Sequence, residues 1–226
     1  MNQSLSLLLA SNSPRRRQLL ALGGWTFDVA VSNSDESQLP DELPEAYVLR
    51  LAEVKARAVV DRAHTDHIII GSDTSVVIDG EILGKPADAD EADRMLRRLR
   101  GRTHQVYTGI AALRTRDGAL LTDICITDVP MRDYSDGEIA AYVASGDPLD
   151  KAGAYGIQHP HFQPVAHMDG CYASVMGLPL CHLTLLLRRM DVTPQADLPA
   201  NCQVTLAYQC PIFTSILESG DSHLTE

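Results

Sequence analysis

The chain has 226 residues, 45% of them apolar, and a formal net charge of −11. That length suits one α/β domain with a cleft, or two small lobes, with enough apolar side chains for a sizeable core. So acidic a chain lacks the footprint for non-specific nucleic-acid binding, and no apolar run is long enough to span a bilayer, so a small anion would have to be met by a local cluster of Arg and Lys.

Residues 5–10 read as a buried strand. Ser13 as N-cap and Pro14 at the first helical position then open a helix, which Gly23-Gly24 stops. Residues 25–31 alternate like a strand. From Pro44 to about residue 63 the pattern is helical, with Val48, Leu51, Ala52, Lys55 and Val59 at helix spacing. Residues 67–70 predict a short apolar strand ending in the polar group Gly71-Ser72-Asp73-Thr74. Residues 75–84 predict a hairpin turning at Asp79-Gly80. A helix over 89–99 ends at Gly101, and strands over 105–114 and 119–132 join through Asp117-Gly118. The capping box from Ser135 to Glu138 opens a helix over 139–145, and the last clear helix covers 180–190. Beyond Met190 the periodicity fades. Residues 1–190 therefore read as the folded domain and 191–226 as a C-terminal extension, a tail of unassigned role.

Four places carry chemistry. Ser11-Asn12-Ser13-Pro14-Arg15-Arg16-Arg17 follows a strand and opens a helix, whose free N–H groups make an anion site. Its guanidinium groups can grip phosphate with paired hydrogen bonds and relieve their own unfavourable position at a helix start. Asp73 can hold a divalent cation or take a proton from water, and the hairpin can return Lys85 of Gly84-Lys85-Pro86 towards it. Asp35-Glu36 lies in a loop, where metal ligands are common, while Glu53 and Lys55 are two apart and point to different faces of one helix. The small residues of Asp150-Lys151-Ala152-Gly153-Ala154-Tyr155-Gly156-Ile157-Gln158 let backbone approach a ligand, and the run ends in an amide able to read a base edge. His159 and His161 read as ordinary surface or core residues. The five cysteines (Cys125, Cys171, Cys181, Cys202 and Cys210) include no CxxC pair and read as reduced thiols of a cytoplasmic protein.

The ordered set Ser11-Asn12-Ser13-Pro14-Arg15-Arg16, Gly71-Ser72-Asp73-Thr74, Gly84-Lys85-Pro86, the run from Asp150 to Gln158 and Gly177-Leu178-Pro179-Leu180 resembles the Maf family of nucleotide pyrophosphatases, the septum-formation-inhibitor-like proteins. The likeness covers about residues 5–190. It implies an elongated α/β fold of the ITPase-like kind, a mixed sheet with flanking helices and two lobes around a central cleft, often dimeric. It implies hydrolysis between the α- and β-phosphates of a small nucleoside triphosphate, with Mg2+ or Mn2+ as cofactor. By the same resemblance Asp73 is the proton acceptor, with Glu36 and Asp73 as metal ligands. Ser11, Arg15, Arg16, Lys55 and Lys85 hold the triphosphate, and Arg15, Thr74 and Gln158 govern base choice. The run ending in Gln158 looks like the branch acting on dTTP and UTP, not the sister branch acting on 7-methyl-GTP. Cleavage of modified nucleotides or of 7-methyl-GTP, or nucleotide sensing in cell division without turnover, would use the same cleft.

Overall fold

The computed structural model describes residues 6–31, 33–63 and 66–221. Leu5 and the last five residues of the extension lie outside them. Six strands form one mixed sheet: β1 (Ser6–Leu9), β2 (Phe27–Val29), β3 (His67–Ile78), β4 (Glu81–Leu83), β5 (Thr103–Arg114) and β6 (Leu120–Pro130). Their order is β2-β1-β3-β5-β6, with β4 paired to β3. β1 runs parallel to β2 and β3, and the remaining pairs are antiparallel.

The polar group Gly71-Ser72-Asp73-Thr74 is not a turn after a short strand. It lies in the middle of β3, because β5 pairs with β3 without a break from Ile68↔Arg114 to Val77↔Gln105. The ladder satisfies the backbone of these residues, so their composition does not end the strand. β1 is shorter. It stops at Leu9, opposite Ile70, and the Ala10 N–H closes the pairing on the Ile70 carbonyl at 2.8 Å. β3 therefore outruns its parallel neighbour, and the chain leaving β1 turns beside Ser72 and Thr74. That offset brings the arginine turn and the aspartate strand together.

Helix α1 (Pro14–Ala21) starts as its signals predict, with the Ser13 hydroxyl accepting from the Arg16 N–H and Pro14 in the first turn. Together with α6 (Leu180–Arg188) it covers one face of the sheet, where Leu19, Leu20, Leu183 and Leu187 pack on Leu7, Leu9, Ile68 and Ile70. α2 (Pro44–Arg57) covers the opposite face, and a separate 3₁₀ turn at Val60–Arg62 takes the rest of the stretch expected to be helical. The second lobe gathers α3 (Ala89–Leu99) and α4 (Asp136–Ala144) around Val76, Ile78, Val106 and Val129, with both halves of the capping box formed at Ser135 and Glu138. Because β3, β5 and β6 run through both lobes, the lobes share one sheet.

α2 lies unusually close to that sheet. A methyl group on Gly71 would come within 2.0 Å of the Ala52 carbonyl oxygen, and one on Gly109 within 2.5 Å of the Val48 carbonyl oxygen. Only glycine at these two strand positions lets the helix backbone settle so near.

The extension departs from the expectation of a patternless tail. Its described part forms α7 (Leu198–Leu206), capped by the Asp197 side chain, and α8 (Phe213–Asp221). It is docked against the domain. Leu198 is buried, and Val192, Leu206 and Ile212 pack on the main core. The Trp25 indole donates to the Thr193 carbonyl at 2.9 Å, the Gln195 N–H to the Gly23 carbonyl at 2.8 Å, and the Asn201 amide to the Leu22 carbonyl at 3.0 Å. These anchors are too widely spaced to give a local period, although Asp197 as N-cap and Pro199 in the first turn of α7 are local start signals. Among the described residues no helix is long and apolar enough to cross a membrane.

Gly71→Ala should lower stability by about 1–3 kcal/mol through overpacking against α2. Urea unfolding should show a lower midpoint with an unchanged slope.

Candidate functional site

A cleft of about 950 Å³ opens where the arginine turn meets β3. The turn supplies Ser11, Ser13, Arg15, Arg16 and Arg17, while β3 supplies Asp73 and Thr74. α2 adds Tyr47 and Lys55, the loop before it adds Glu36, and the chain after β4 adds Gly84 and Lys85. The volume is within the range of small-molecule sites, roughly 300–1,000 Å³.

At the centre of the cleft is Lys55. Its ammonium lies 2.6 Å from Asp73 Oδ1 and 2.9 Å from a Glu36 oxygen. The Lys55 and Asp73 side chains are each only 9% exposed, whereas that of Glu36 is 51% exposed. The close seating of α2 on Gly71 and Gly109 brings Lys55 within reach of Asp73, since Asp73 is the direct cross-strand partner of Gly109. Strand alternation turns Asp73 to the α2 face and Thr74 to the opposite face, where it meets α1.

On that opposite face Arg16 ties three elements together. Its Nε donates to the Gly177 carbonyl at 2.8 Å, Nη2 to Thr74 Oγ1 at 3.1 Å, and Nη1 to Ser11 Oγ at 3.4 Å. Burial lowers its pKa, Asp73 and Glu36 oppose that shift, and the guanidinium stays charged. Ser72 Oγ also donates to the Gly177 carbonyl, at 2.8 Å. Gly177 has φ +108°, and a side chain there would meet Arg16 Nε at 3.1 Å and Thr74 Oγ1 at 3.3 Å. Arg15, Arg17 and Lys85 make no side-chain hydrogen bond or ion pair within the described residues, which leaves them available to a ligand.

Glu36 comes from a loop without regular structure, yet its position is fixed. The Tyr47 hydroxyl donates to the Glu36 carbonyl at 2.8 Å. Arg50 donates to the Ser37 carbonyl at 3.1 Å and grips both carboxylate oxygens of Glu42 at 2.6 Å. Burial, together with the nearby charges of Asp73 and Glu36, pushes the Tyr47 phenol up to about 12, so it remains a donor at neutral pH. The sequence reading did not single out Tyr47, Arg50 or Glu42. A signal was available: Tyr47 and Lys55 are eight residues apart on one helix and so share a face.

The other candidates are placed as follows. Asp35 accepts from the Ser37 N–H and does not line the cleft. Glu53 pairs with Arg57 at 2.7 Å on the surface. Ile157 and Tyr155 form part of the cleft wall with Val76, Val106 and Met176, whereas Gln158 is exposed and outside the lining. His159 accepts from the Phe162 N–H and lies tilted against the Tyr142 ring, and no group of three or more His, Cys, Asp or Glu among the described residues could hold a metal by itself.

A mixed α/β sheet whose long central strand carries a cation-lined cleft with two fixed carboxylates defines an α/β protein suited to holding a polyphosphate. The chain matches the Maf-like protein family over residues 6–190 and belongs to that family. It is 48% identical over 186 residues to a dTTP/UTP pyrophosphatase of Escherichia coli O157:H7, covering 82% of this chain and 93% of the relative. Against the dTTP/UTP pyrophosphatase of Escherichia coli K12 the identity is 47% over the same shares. A solved structure, the Staphylococcus aureus Ham1 protein, aligns with a TM-score of 0.41 and 14% identity, covering 57% of this chain and 72% of that one. The family match ends where the extension begins.

Tyr47→Phe removes one hydrogen bond to the Glu36 loop, worth about 0.5–1.5 kcal/mol, so turnover should fall by up to about tenfold. Steady-state kinetics alongside a melting temperature lowered by no more than about 6 °C would establish that the loss is one of loop position.

Proposed function

We propose that this chain hydrolyses dTTP and UTP to the nucleoside monophosphate and pyrophosphate. The reading is carried by one observation: Asp73, held by Lys55, lines the same cleft as the uncommitted cations Arg15, Arg17 and Lys85. Its support from relatives is the identity of 47–48% with proteins named dTTP/UTP pyrophosphatase.

In this proposal the triphosphate lies along the start of α1. Arg15 and Lys85 neutralise its oxygens, and Ser11 and the first-turn N–H groups donate to them. Arg16 acts chiefly by holding Thr74 and Gly177 in place, with its charge adding to the field of the cleft. Lys55 occupies Asp73 Oδ1, and Oδ2 has no protein partner among the described residues, so Oδ2 accepts the proton of the attacking water. The water oxygen bonds to the α-phosphorus, the bridging bond to the β-phosphate breaks, and pyrophosphate leaves with its negative charge met by the cations. The apolar wall of Val76, Val106, Tyr155, Ile157 and Met176 receives the base, while Gln158 and Thr74 act on base choice from the margin and through Arg16.

A divalent cation fits the donor set. Asp73 and Glu36 offer hard carboxylate oxygens on either side of the Lys55 ammonium, which suits an ion that takes one or two carboxylates and completes its shell with water and phosphate. They would hold Mg2+ or Mn2+, and its charge would offset that of the phosphate oxygens. The protein alone is no cage, in keeping with a cation that arrives with the nucleotide.

Asp73→Asn should lower dTTP turnover by at least roughly a hundredfold. Turnover near that of the unaltered enzyme would remove Asp73 from the proton-accepting role. A panel of dTTP, UTP, 7-methyl-GTP and modified triphosphates, read by pyrophosphate release with and without added Mg2+, tests the substrate class. Glu36→Gln should raise the Mg2+ concentration needed for half-maximal rate.

A further inference from the structure

The face of β3 and β5 that carries Thr74 also carries Val76, Thr108, Val106 and His104, because strand residues two apart share a side. Thr108 lies opposite Thr74, and Val106 opposite Val76. Thr74 meets Arg16, and Val76 and Val106 line the cleft. His104 is the next step along this face, buried behind the lining at 2% exposure. The chemistry proposed above does not use it. Its Nε2 lies 2.8 Å from the Tyr155 hydroxyl, and the two rings meet edge to face with centroids 5.4 Å apart. Its Nδ1 is buried without a hydrogen-bond partner among the described residues. A buried ring nitrogen left unpaired is destabilising, so the residue calls for a compensating role.

The backbone that delivers Tyr155 is strained as well. Gly153 and Ala154 precede it with φ of +66° and +59°, a left-handed conformation that alanine rarely adopts. Three hydrogen bonds hold the segment. The Gly153 N–H donates to the Gly84 carbonyl, the Ala154 N–H to the Lys151 carbonyl and the Gly156 N–H to the Tyr142 hydroxyl, each at 3.0 Å. Gly153 lies so close to the face that a methyl group there would come within 2.8 Å of the Val76 side chain. The Tyr155 ring thus stands between the cleft and His104. It lines the cleft with Ile157 and with Met176, which follows the short helix α5 (Tyr172–Val175). Backbone strain concentrates where a side chain must be held in one place.

We propose that His104 is a positioning residue for base selection: by holding the Tyr155 hydroxyl it fixes the tyrosine ring as a wall of the base site, which then admits a single-ring base and turns away a purine. The proposal deepens the reading of the cleft given above and rests on it for which part of the cleft takes the base. A purine carries a second fused ring, so it fits only if the wall retreats. With an imidazole directly behind the hydroxyl, the Tyr155 ring has nowhere to go, and the clash falls on the wrong base alone.

The protonation state of the imidazole suits this role. Burial lowers His104 to about 4, with the charge of Asp128 acting the other way. Asp128 is itself engaged by the Gln105 amide at 3.0 Å. The ring is therefore neutral at physiological pH and keeps one acceptor nitrogen and one N–H. In either tautomer one proton joins Nε2 to the Tyr155 hydroxyl, so the tie survives whichever group donates. The wall also stays uncharged, and the cations of the cleft remain those beside the phosphates.

The test measures equilibrium binding of dTTP and dGTP to the full-length protein without added metal, and turnover of both with Mg2+. The unaltered protein should bind dTTP the more tightly. His104→Ala gives the Tyr155 ring room to withdraw, so the preference for dTTP should fall about tenfold, with KM for dTTP rising and kcat within about twofold. Tyr155→Phe should lower the preference in the same way. His104→Gln, whose amide nitrogen reaches the Nε2 position, should restore it. A fall in kcat that only tracks lost folded protein, with KM and preference unchanged, marks a merely structural residue and would overturn the proposal. So would an unaltered protein without preference for dTTP. Where the variants fold poorly, ring-labelled tyrosine in the unaltered protein decides: the Tyr155 signals should shift on addition of dTTP, and signals unmoved at saturation overturn the proposal. A preference that His104→Ala removes, in a protein that cleaves neither nucleotide, would support this inference and overturn the activity proposed above.

Discussion

A lysine ammonium more than nine-tenths removed from water is tolerable only with its charge answered, and Lys55 is answered twice. Removing such an ion from water costs several kcal/mol, which a single contact rarely repays. The second carboxylate makes the arrangement sustainable, and it must come from outside the sheet. Hence the loop carrying Glu36 is held by Tyr47, and its neighbour Ser37 by Arg50. Hence also α2 must sit close to the strands, which the glycines at positions 71 and 109 allow. Packing, loop geometry and charge are thus parts of one arrangement, and none of the three is adjustable alone.

The cleft is assembled from two faces of one sheet by a difference in strand length. β1 ends at Leu9 while β3 continues for eight residues past Ile70. The free edge that results receives the turn leading into α1 on one side and the end of α2 on the other. Asp73 and Thr74, adjacent in sequence, then serve opposite faces: Asp73 meets Lys55, and Thr74 meets Arg16. Arg16 in turn fixes Gly177, at the junction between the sheet and the helices beyond it. An arginine in the middle of a basic run would be expected to serve a ligand. Here burial and three protein partners make it first a structural member.

The features legible in the sequence were those decided by neighbouring residues. The Ser13 cap, the capping box at Ser135 and the turn at Asp117-Gly118 depend on side chains meeting backbone a few positions away, and the turn at Asp79-Gly80 on two adjacent residues with positive φ. The continuity of β3 was not legible, because β5 supplies it from more than thirty residues downstream. The helices of the extension were missed for the same reason, since Leu198, Leu206 and Ile212 answer to the core and not to one another. In the cleft, the order of motifs pointed to Ser11, Arg15, Asp73 and Lys85 together. The clamp on Glu36 escaped notice because its parts are hydrogen bonds to a loop carbonyl, which no side-chain pattern records. Gln158 shows the reverse limit: a residue chosen for its amide lies exposed, while its neighbour Ile157 faces the cleft.

The sign of the charge in the cleft runs against that of the whole molecule. The chain carries −11, yet six Arg and Lys side chains line the cleft against three carboxylates, Glu36, Asp73 and Asp150. Two of those carboxylates are bound to Lys55, and Lys151 is bound to Asp150 and Asp147. The charge left over belongs to Arg15, Arg17 and Lys85 at the rim, with Arg16 behind them. The net negative charge of the chain opposes an approaching anion, and the cations of this opening, between low-dielectric walls, attract it. The carboxylates that would repel a phosphate are therefore answered by Lys55. The same ion pair keeps the buried ammonium tolerable and fixes the position of Asp73 in the cleft.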